Sequence, residues 1–441
     1  MKWFPLGRIG LGVCVALACQ TAAFGQIGST LSGIGPINRS MGGAATAAPL
    51  DSLGAFQWNP ATIAALPNSS DFALEMLVPQ SKLGSTVNAG ALGPGTPPTT
   101  LSGMTNSTTE VFPLPSFGVV YHPTDSQMTW GLGIISVGGF SANFPGSTTN
   151  PILMPNPPAG LGVGPIFSQY QLVQVVPTLA YQATEQISVS ISPIIDMASL
   201  SADPGFFAPP NDANGNGVFT FPALTHGTFQ WGAGVQVGVF WVTGANWQFG
   251  ASFKSPQWFQ SFQYNTQNEI GVPESVKIGL NAPMIASFGT AYTGFDRTLI
   301  AVDARYVGYR NTVGYSNVGF GANGAVQGIG WGDVFALSTG VQYLLTDALA
   351  VRVGYSFNTN PVPNDRTFYN ILSPLIIQNG VSLGGSYNVT ASLKISLAYS
   401  HFFENSISGP MISPLFGALP GTSVTAKASA DAVTLGATFF F

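Results

Sequence analysis

The sequence is poor in charge and in long apolar runs. Lysine, arginine, aspartate and glutamate make up 7% of its 441 residues, whereas soluble domains average about 25%. A water-soluble surface of this size needs many more charged side chains. Beyond the N-terminus, the sequence contains no uninterrupted apolar run of about 20 residues, the length that a transmembrane helix requires. Soluble domains and a helical membrane protein are therefore both excluded.

The N-terminus has the composition of a secretory signal peptide. Lys2 and Arg8 come before the apolar residues 9–18, and small residues follow. The apolar stretch is too short for a transmembrane anchor, so we predict that residues 1–25 are removed on export. A lipoprotein site at Cys19 is the alternative.

The mature chain then contains no cysteine, because Cys14 and Cys19 both lie in the predicted signal peptide. Disulfides, thiolate metal sites and cysteine nucleophiles are excluded. Without Lys2 and Arg8, 11 of the 13 basic residues remain against 18 acidic ones, a balance that argues against nucleic-acid binding. We expect no cofactor and no bound metal.

The sequence is rich in period-two alternation of apolar side chains. From Phe229 to Trp241 every odd position is apolar and the even positions are mostly Gln and Gly, and Val433 to Phe441 repeats the pattern. Such long alternating runs suit strands that cross a membrane at a tilt. Fourteen strands are predicted, at residues 70–80, 113–122, 128–139, 171–183, 186–199, 228–243, 245–262, 283–294, 297–311, 332–345, 348–358, 380–389, 392–404 and 430–441.

Short and long links alternate between these strands, as in outer-membrane barrels with short periplasmic turns and long external loops. Residues 26–69 precede the first strand and are rich in Gly and Ala, too small to form a core of their own. We therefore predict an all-β fold, a 14-stranded antiparallel transmembrane β-barrel over residues 70–441. Residues 26–69 would form a hatch inside its lumen.

The hatch segment carries a pattern that resembles a known family. It contains Arg39, then Gly42-Gly43-Ala44, then Asp51, and it closes with Trp58-Asn59-Pro60-Ala61. This order resembles the hatch of the long-chain fatty acid and hydrocarbon outer-membrane transporter family, the FadL/TodX type. Further similar segments are Leu114–Phe117, Trp130–Gly133, Gly289–Tyr292, Asp303, Tyr306 and Asn360–Pro363. Asn281-Ala282-Pro283 departs from the family pattern.

The resemblance implies passive uptake of hydrophobic molecules across the outer membrane of a Gram-negative bacterium. A hatch shift and a kink in the third strand would release the cargo sideways into the membrane. Asn59, Pro60 and Ala61 are the implied hatch and gate residues, although Asn-Pro is also a common turn starter. Gly138 and Gly139 are the candidates for the kink, unless the strand simply ends there. The cargo stays open among fatty acids, alkanes, aromatic hydrocarbons and terpenoids.

Two arginines are candidates for binding a cargo head group. Arg305 alternates with apolar neighbours and should face the lumen, and Arg310 lies nearer the external end. The alternative is a network of lumen ion pairs with acidic residues such as Asp303 or Asp333.

Other functions have less support from the residues. A non-specific aqueous porin is the alternative function, but it leaves the hatch without a purpose. A hydrolase needs a base beside a nucleophile, and His122, His226 and His401 lie in no recognisable triad, so we predict no enzyme and no catalytic residue. Residues 212–217 resemble the first half of a calcium loop but lack its final Glu.

The expected partners follow from the barrel and the family. They are a hydrophobic small-molecule cargo, outer-membrane lipid and the barrel assembly machinery, which would recognise the terminal Phe441. We expect a monomer.

Overall fold

Fourteen antiparallel strands form the wall of a barrel. The computed structural model describes residues 27–225 and 227–441, so the predicted signal peptide and His226 lie outside the described residues. Within these ranges, the barrel strands are β1 Ser69–Val87, β2 Phe112–Tyr121, β3 Met128–Phe144, β4 Ile166–Gln182, β5 Ile187–Asp203, β6 Gln230–Val242, β7 Trp247–Lys254, β8 Ile285–Phe295, β9 Thr298–Val307, β10 Val334–Leu344, β11 Leu349–Asn358, β12 Asn379–Thr390, β13 Leu393–Gly409 and β14 Thr422–Phe440. Each overlaps a predicted strand, and the predicted fold class is confirmed.

The barrel closes because its last strand pairs with its first. β14 pairs with β1 along the whole of β1, from Ser69 opposite Phe440 to Val87 opposite Thr422. The other strands pair with their neighbours in the chain. A closed wall lets the ladder satisfy backbone polar groups that lipid cannot.

β1, β13 and β14 extend farther outward than predicted. The apolar alternation stops there, because the outward side chains become charged: Lys82 and Lys427 lie 2.7 Å and 3.6 Å from the carboxylate of Glu404. The ladder nevertheless continues, since it depends on backbone groups and not on side-chain polarity. In these three strands the sequence pattern therefore marked only the lipid-facing part, whereas β7 and β9 end before the predicted residues 262 and 311.

β6 shows how alternation positions the two faces of the wall. Trp231 and Trp241 point outward and are 53% and 44% exposed, while Gln230 and Gln236 point into the lumen and are buried. The outward face is the apolar surface that a lipid-embedded barrel requires.

Residues 27–68 fill the lumen as a hatch, and nearly all of them up to Ile63 are buried. The hatch contains α1 Gly35–Ser40, α2 Ser52–Trp58 and a 3₁₀ helix at Pro60–Ala65. Wall glycines make room for it: a Cβ at Gly340 would lie 2.6 Å from the carbonyl oxygen of Met41. Among the described residues, no helix has both the length and the apolarity to cross a membrane.

Long loops at the external end fold over the mouth of the barrel. They carry small antiparallel pairs between Phe262–Gln267 and Pro273–Ile278, Val318–Phe320 and Val326–Ile329, and Ile412–Ser413 and Gly417–Ala418. A further strand, Leu101–Asn106, pairs with β1 beyond the end of β2.

Candidate functional site

An ion pair on β9 ties the hatch to the wall. Asp303 Oδ2 accepts hydrogen bonds from the backbone N–H of Ala45 at 2.8 Å and of Thr46 at 2.9 Å. Arg305 Nη2 lies 2.5 Å from the same carboxylate oxygen and donates to the carbonyl of Gly43 at 2.8 Å. Both charged side chains are fully buried. A buried pair of this kind is sensitive to the loss of either partner.

The structure places both head-group candidates in ion pairs with acidic neighbours. The guanidinium of Arg305 lies 3.7 Å from the ring centre of Trp58 in the hatch, so its contacts are with hatch and wall. Arg310 has a side chain that is 73% exposed, and its Nε lies 3.8 Å from Asp333. These are the pairings that the ion-pair alternative predicted.

A second buried ion pair joins α1 to β1. Arg39 donates from Nε to Glu75 at 2.7 Å and lies 2.5 Å from it through Nη2, and Nη1 donates to Ser32 Oγ at 3.0 Å. Thr434 Oγ1 donates to the same carboxylate at 3.2 Å. Two guanidinium nitrogens bind the same carboxylate, which makes this a strong ion pair. All three guanidinium nitrogens of Arg39 are therefore occupied by contacts that hold the hatch.

Asn59 connects two parts of the hatch to β6. Its Nδ2 donates to the carbonyl of Thr46 at 2.7 Å and to that of Val239 at 2.9 Å. Its Oδ1 accepts from the N–H of Ala61 at 3.2 Å, which starts the 3₁₀ helix at Pro60. Asn59, one of the implied gate residues, therefore contacts the wall at β6 and not at the third strand.

β3 is irregular at the predicted position. Its register with β4 shifts between Ser136 and Gly138, so Val137 is an extra residue, as in a β-bulge. The freed carbonyl of Val137 accepts from the N–H of Leu31 at 2.9 Å. A Cβ at Gly138 would lie 2.8 Å from the carbonyl oxygen of Ser29, so only glycine fits under the hatch here. β3 continues beyond both glycines and does not end at them.

The pairing of β2 with β3 ends just before this irregularity. Their ladder stops at Phe117 opposite Ile134, although β2 continues along β1 and β3 continues along β4. At the outer end the N–H of Thr108 donates to the carbonyl of Asn143 at 2.8 Å and closes the gap. We call this gap the lateral window, between residues 112–116 of β2 and 135–142 of β3.

Four apolar cavities lie between the external loops and the outside of this window. The outer groove, about 500 Å³, is lined by residues that include Phe206, Phe219, Phe221, Phe320, Phe368 and Tyr369. The upper chamber, about 50 Å³, is lined by residues that include Phe140, Leu200, Phe207, Tyr315, Tyr369 and Leu375. The lower chamber, also about 50 Å³, includes Leu31, Leu77, Gly139, Phe140, Ser141 and Leu375. The wall groove, about 580 Å³, includes Phe72, Leu74, Pro115, Phe117, Ile134 and Leu435.

Shared residues join these cavities into one route. Tyr369 lines both the outer groove and the upper chamber, and Phe140 and Leu375 line both chambers. The lower chamber reaches β3 at Gly139 inside the window, and the wall groove reaches Ser136 of β3 outside it. A chamber of about 50 Å³ has room for only a few water molecules, so a larger molecule passes only when side chains or the hatch move.

The route offers almost no charge to a passing molecule. Among the described residues that line the four cavities, Arg39 is the single charged one, and its ion pair with Glu75 occupies it. Arg305 and Arg310 line none of the four. Because a buried carboxylate needs a partner, the lining favours molecules without charge.

A polar cavity of about 620 Å³ lies at the periplasmic end, between the hatch and the wall. Its lining includes Asp51, Asp71, Arg352 and Lys394. Asp51 Oδ1 caps α2 by accepting from the N–H of Gly54 at 3.1 Å. Burial, and the charge of Asp71 beside it, raise the pKa of Asp51 to about 7. This hatch carboxyl therefore changes its charge near neutral pH.

The residues that line the route were not found from the sequence. Phe140, Phe206, Phe368 and Tyr369 belong to loops and strand ends that come together only in the folded chain. A local signal did exist in one external loop, because Phe206, Phe207, Phe219 and Phe221 follow one another within a short connecting segment. The pattern of Phe112, Pro113, Leu114 and Pro115 was also a signal, since proline rarely occurs inside paired strands.

A closed barrel with an internal hatch and an apolar route to a window in its wall defines a plugged outer-membrane channel. The family model described as outer membrane protein transport protein (OMPP1/FadL/TodX) matches residues 12–441. The chain belongs to this family, and the resemblance stated from the sequence is confirmed. Passive outer-membrane transport of hydrophobic molecules is thereby confirmed as the class of function. The alternative, a non-specific aqueous porin, is not supported.

Solved structures share the fold at low sequence identity. The toluene transporter TodX of P. putida is 16% identical, with 93% of this chain and 99% of that chain covered and a TM-score of 0.65. TbuX, a toluene transporter of Ralstonia pickettii, is also 16% identical, with 93% of this chain and 99% of that chain covered and a TM-score of 0.65. A FadL homologue of Pseudomonas aeruginosa is 17% identical, with 95% and 100% covered and a TM-score of 0.68. No curated protein sequence matches the chain significantly.

Proposed function

We propose that the protein takes up neutral hydrophobic molecules, hydrocarbons above all, and releases them laterally into the outer membrane. The observation that carries this proposal is the series of apolar cavities that ends on both sides of the lateral window. A hydrocarbon gains about 0.8 kcal/mol for each CH₂ that leaves water. Release through the wall keeps that gain, whereas release into the periplasm would lose it.

The chemistry of the lining supports a cargo without a carboxylate. Aromatic rings dominate the outer groove, and the one cation on the route, Arg39, is held by Glu75. Two structures with this fold are described as toluene transporters. A fatty acid would have to bury its head group beside uncharged residues, which is unfavourable without a partner. Arg305 serves in this proposal as a hatch anchor and not as a head-group site.

The hatch gates the lower chamber in this proposal. Leu31 lines the chamber and also binds the carbonyl of Val137 at the β3 irregularity. A shift of the hatch would therefore widen the chamber and disturb β3 in one movement. The other side of the hatch is held against β6 by Asn59, Pro60 and Ala61. This side stays in place while the side near β3 moves.

We further propose where the barrel is located and how it is assembled. The protein lies in the outer membrane of a Gram-negative bacterium, after export directed by residues 1–25, and works as a monomer with its apolar belt in lipid. The barrel assembly machinery recognises its C-terminal strand through Phe441, whose side chain is 65% exposed. No enzymatic step is involved.

Uptake of labelled toluene and labelled laurate by whole cells tests this function. The variant Ser141→Trp fills the lower chamber beside the window, and Ser102→Trp, on an exposed site outside the barrel wall, is its control. We expect Ser141→Trp to abolish toluene uptake, Ser102→Trp to leave it unchanged, and the wild type to favour toluene over laurate. Rapid sugar flux in liposome swelling, with toluene uptake indifferent to Ser141→Trp, would support an aqueous porin instead.

A further inference from the structure

We infer that Pro113 and Pro115 hold the lateral window open, because they remove the two backbone donors that would otherwise join β2 to β3. The importance of this device for uptake rests on the lateral release proposed above. Its structural part, that two prolines keep the two strands apart, can be tested without any transport measurement.

The edge of β2 that faces the window is identified by one contact. The carbonyl of Pro115 accepts a hydrogen bond from Ser136 Oγ at 2.7 Å, so this peptide faces β3. In an antiparallel strand the nitrogen and oxygen of one residue point to the same neighbour, and alternate residues point to opposite neighbours. Pro113 therefore also faces β3, and so does Phe117, which makes the last pair of the ladder.

The register shows which pairs are missing. The β2–β3 ladder runs from Tyr121 opposite Trp130 to Phe117 opposite Ile134. The next two residues of β2 that face β3 are Pro115 and Pro113. Neither has an N–H to donate, so the ladder loses its donors from β2 at the point where it stops.

Proline suits an open edge in a hydrocarbon environment for a second reason. An unpaired N–H in lipid costs several kcal/mol, and proline has no N–H to leave unpaired. On the opposite edge, the N–H of Ser136 donates to Ser116 Oγ at 3.2 Å and the carbonyl of Val137 binds the hatch. The window edge of β2 thus has no orphaned donor at 113 or 115, and two groups of β3 find partners outside the β2–β3 ladder.

The same wall contains a contrasting pair of prolines. The β4–β5 ladder has no pairs between Val175 opposite Ile195 and Leu179 opposite Ile191, where Pro177 and Pro193 would meet. Pairing resumes on both sides of this point. One facing pair of prolines therefore interrupts the ladder for three pairs, after which it resumes. Two donor-free positions on one strand, beside the β3 irregularity, coincide with the end of the β2–β3 ladder.

The test restores the two donors. The variant Pro113→Val/Pro115→Val changes two side chains that point outward, so the lumen is not altered. NMR amide exchange of the valine-labelled variant in nanodiscs should show the new amides at 113 and 115 protected like that of Val119. Uptake of labelled toluene should fall about tenfold, since each restored hydrogen bond shifts an open–closed equilibrium by roughly two- to tenfold. The matched variant Pro177→Val/Pro193→Val should leave uptake unchanged.

Each outcome decides a separate claim. Unprotected amides at 113 and 115 would overturn the role of the prolines and leave the separation to β3 alone. Protected amides with unchanged toluene uptake would confirm that role and contradict lateral release. If the wild type takes up no toluene, the proposed function fails, and the exchange result still decides the inference. Should the double variant not fold, Pro115→Val alone gives the same comparison at one position.

Discussion

The backbone N–H of Leu31 donates to the carbonyl of Val137 at 2.9 Å, and this contact joins the hatch to the irregular point of β3. Val137 has a free carbonyl because it is the extra residue between Ser136 and Gly138. The hatch thus supplies a partner that the barrel ladder cannot. The position of the hatch and the shape of the lateral window are coupled through this bond.

Gly138→Ala should weaken that coupling. The new Cβ would lie 2.8 Å from the carbonyl oxygen of Ser29, so the hatch must move away from β3 and the Leu31 bond lengthens. We expect toluene uptake to rise by roughly two- to tenfold, the effect of one lost hydrogen bond on a gating equilibrium. Gly244→Ala, where a Cβ meets nothing within 4 Å, is the control. An unchanged uptake rate in Gly138→Ala would show that this contact does not limit passage.

The barrel could be predicted from the sequence because its signal is local. Alternation such as that of β6 shows which side chains of a strand face lipid and which face the lumen. In a closed barrel the same alternation recurs from strand to strand. The predicted ends were less accurate than the strands themselves: β3, β4 and β5 also extend farther than predicted, and β7 and β9 end earlier. One cause is a change in the outward side chains, as at Lys82 and Lys427. There the strand continues without its apolar signal, so the outer ends of β1, β13 and β14 were predicted too short.

The site could be predicted only in part, because its contacts join distant segments. The hatch residues were recognised from the sequence. The hydrogen bond from Asn59 to Val239, however, joins residues 180 positions apart, and no local pattern predicts it. The cavities depend on how external loops meet, as with Phe140 and Tyr369. The arginines illustrate the same limit: the sequence indicated that Arg305 faces the lumen, and only the fold shows that the hatch occupies it.

Asp303→Asn and Arg305→Met should each loosen the hatch. Removing one partner of a buried ion pair costs about 3–5 kcal/mol, and Asp303 also holds two backbone N–H groups of the hatch. We expect faster proteolysis of the hatch and a lower temperature of heat modification. The double variant should be milder than the two changes added together, because no unpaired charge remains. If Arg305→Met selectively abolished laurate uptake with the hatch intact, Arg305 would be a head-group site.

Asp51 should make the docking of the hatch dependent on pH. Its pKa rises from 3.8 to about 7 in the docked hatch, first through burial and then through Asp71. The docked hatch therefore binds the proton more tightly, so its stability is greatest below the ordinary pKa. That stability falls as pH rises from 3.8 to about 7 and is constant above it. Arg352 and Lys394 oppose this effect in part.

Protease sensitivity of the hatch from about pH 5 to about pH 8 measures this effect. The wild-type hatch should be cleaved faster as pH rises, while Asp51→Asn should show little change, because its Oδ1 can still cap Gly54. Equal pH dependence in both proteins would assign the titration to another group.

Deletion of Phe441 should reduce assembly. Its backbone N–H donates to the carbonyl of Asn68 at 3.3 Å, a weak contact, and its side chain is largely exposed, so the folded barrel needs it little. We expect a smaller heat-modifiable folded band from cells but normal stability of the folded fraction. A folded fraction equal to that of the wild type would show that Phe441 is not an assembly signal.

Asn59→Ala should slow hydrophobic uptake while the barrel folds normally. The change leaves the carbonyls of Thr46 and Val239 without their shared donor, and a buried group without its partner costs about 1–3 kcal/mol. The hatch then loses its hydrogen bond to β6 and no longer keeps one position relative to β3. The barrel keeps its heat modifiability because its own ladder supports it.

Asn59→Asp separates the two functions of this side chain. It keeps the oxygen that accepts from Ala61 and removes the Nδ2 donor, so uptake should fall as in Asn59→Ala if anchoring to β6 is what matters. Labelled toluene uptake by whole cells, with liposome swelling in sugars as a measure of leakage, provides the comparison. Normal uptake in both variants would mean that the hatch gates without its anchor on β6. Rapid sugar flux in either variant, with slow toluene uptake, would mean that Asn59 seals the lumen and does not guide the hatch.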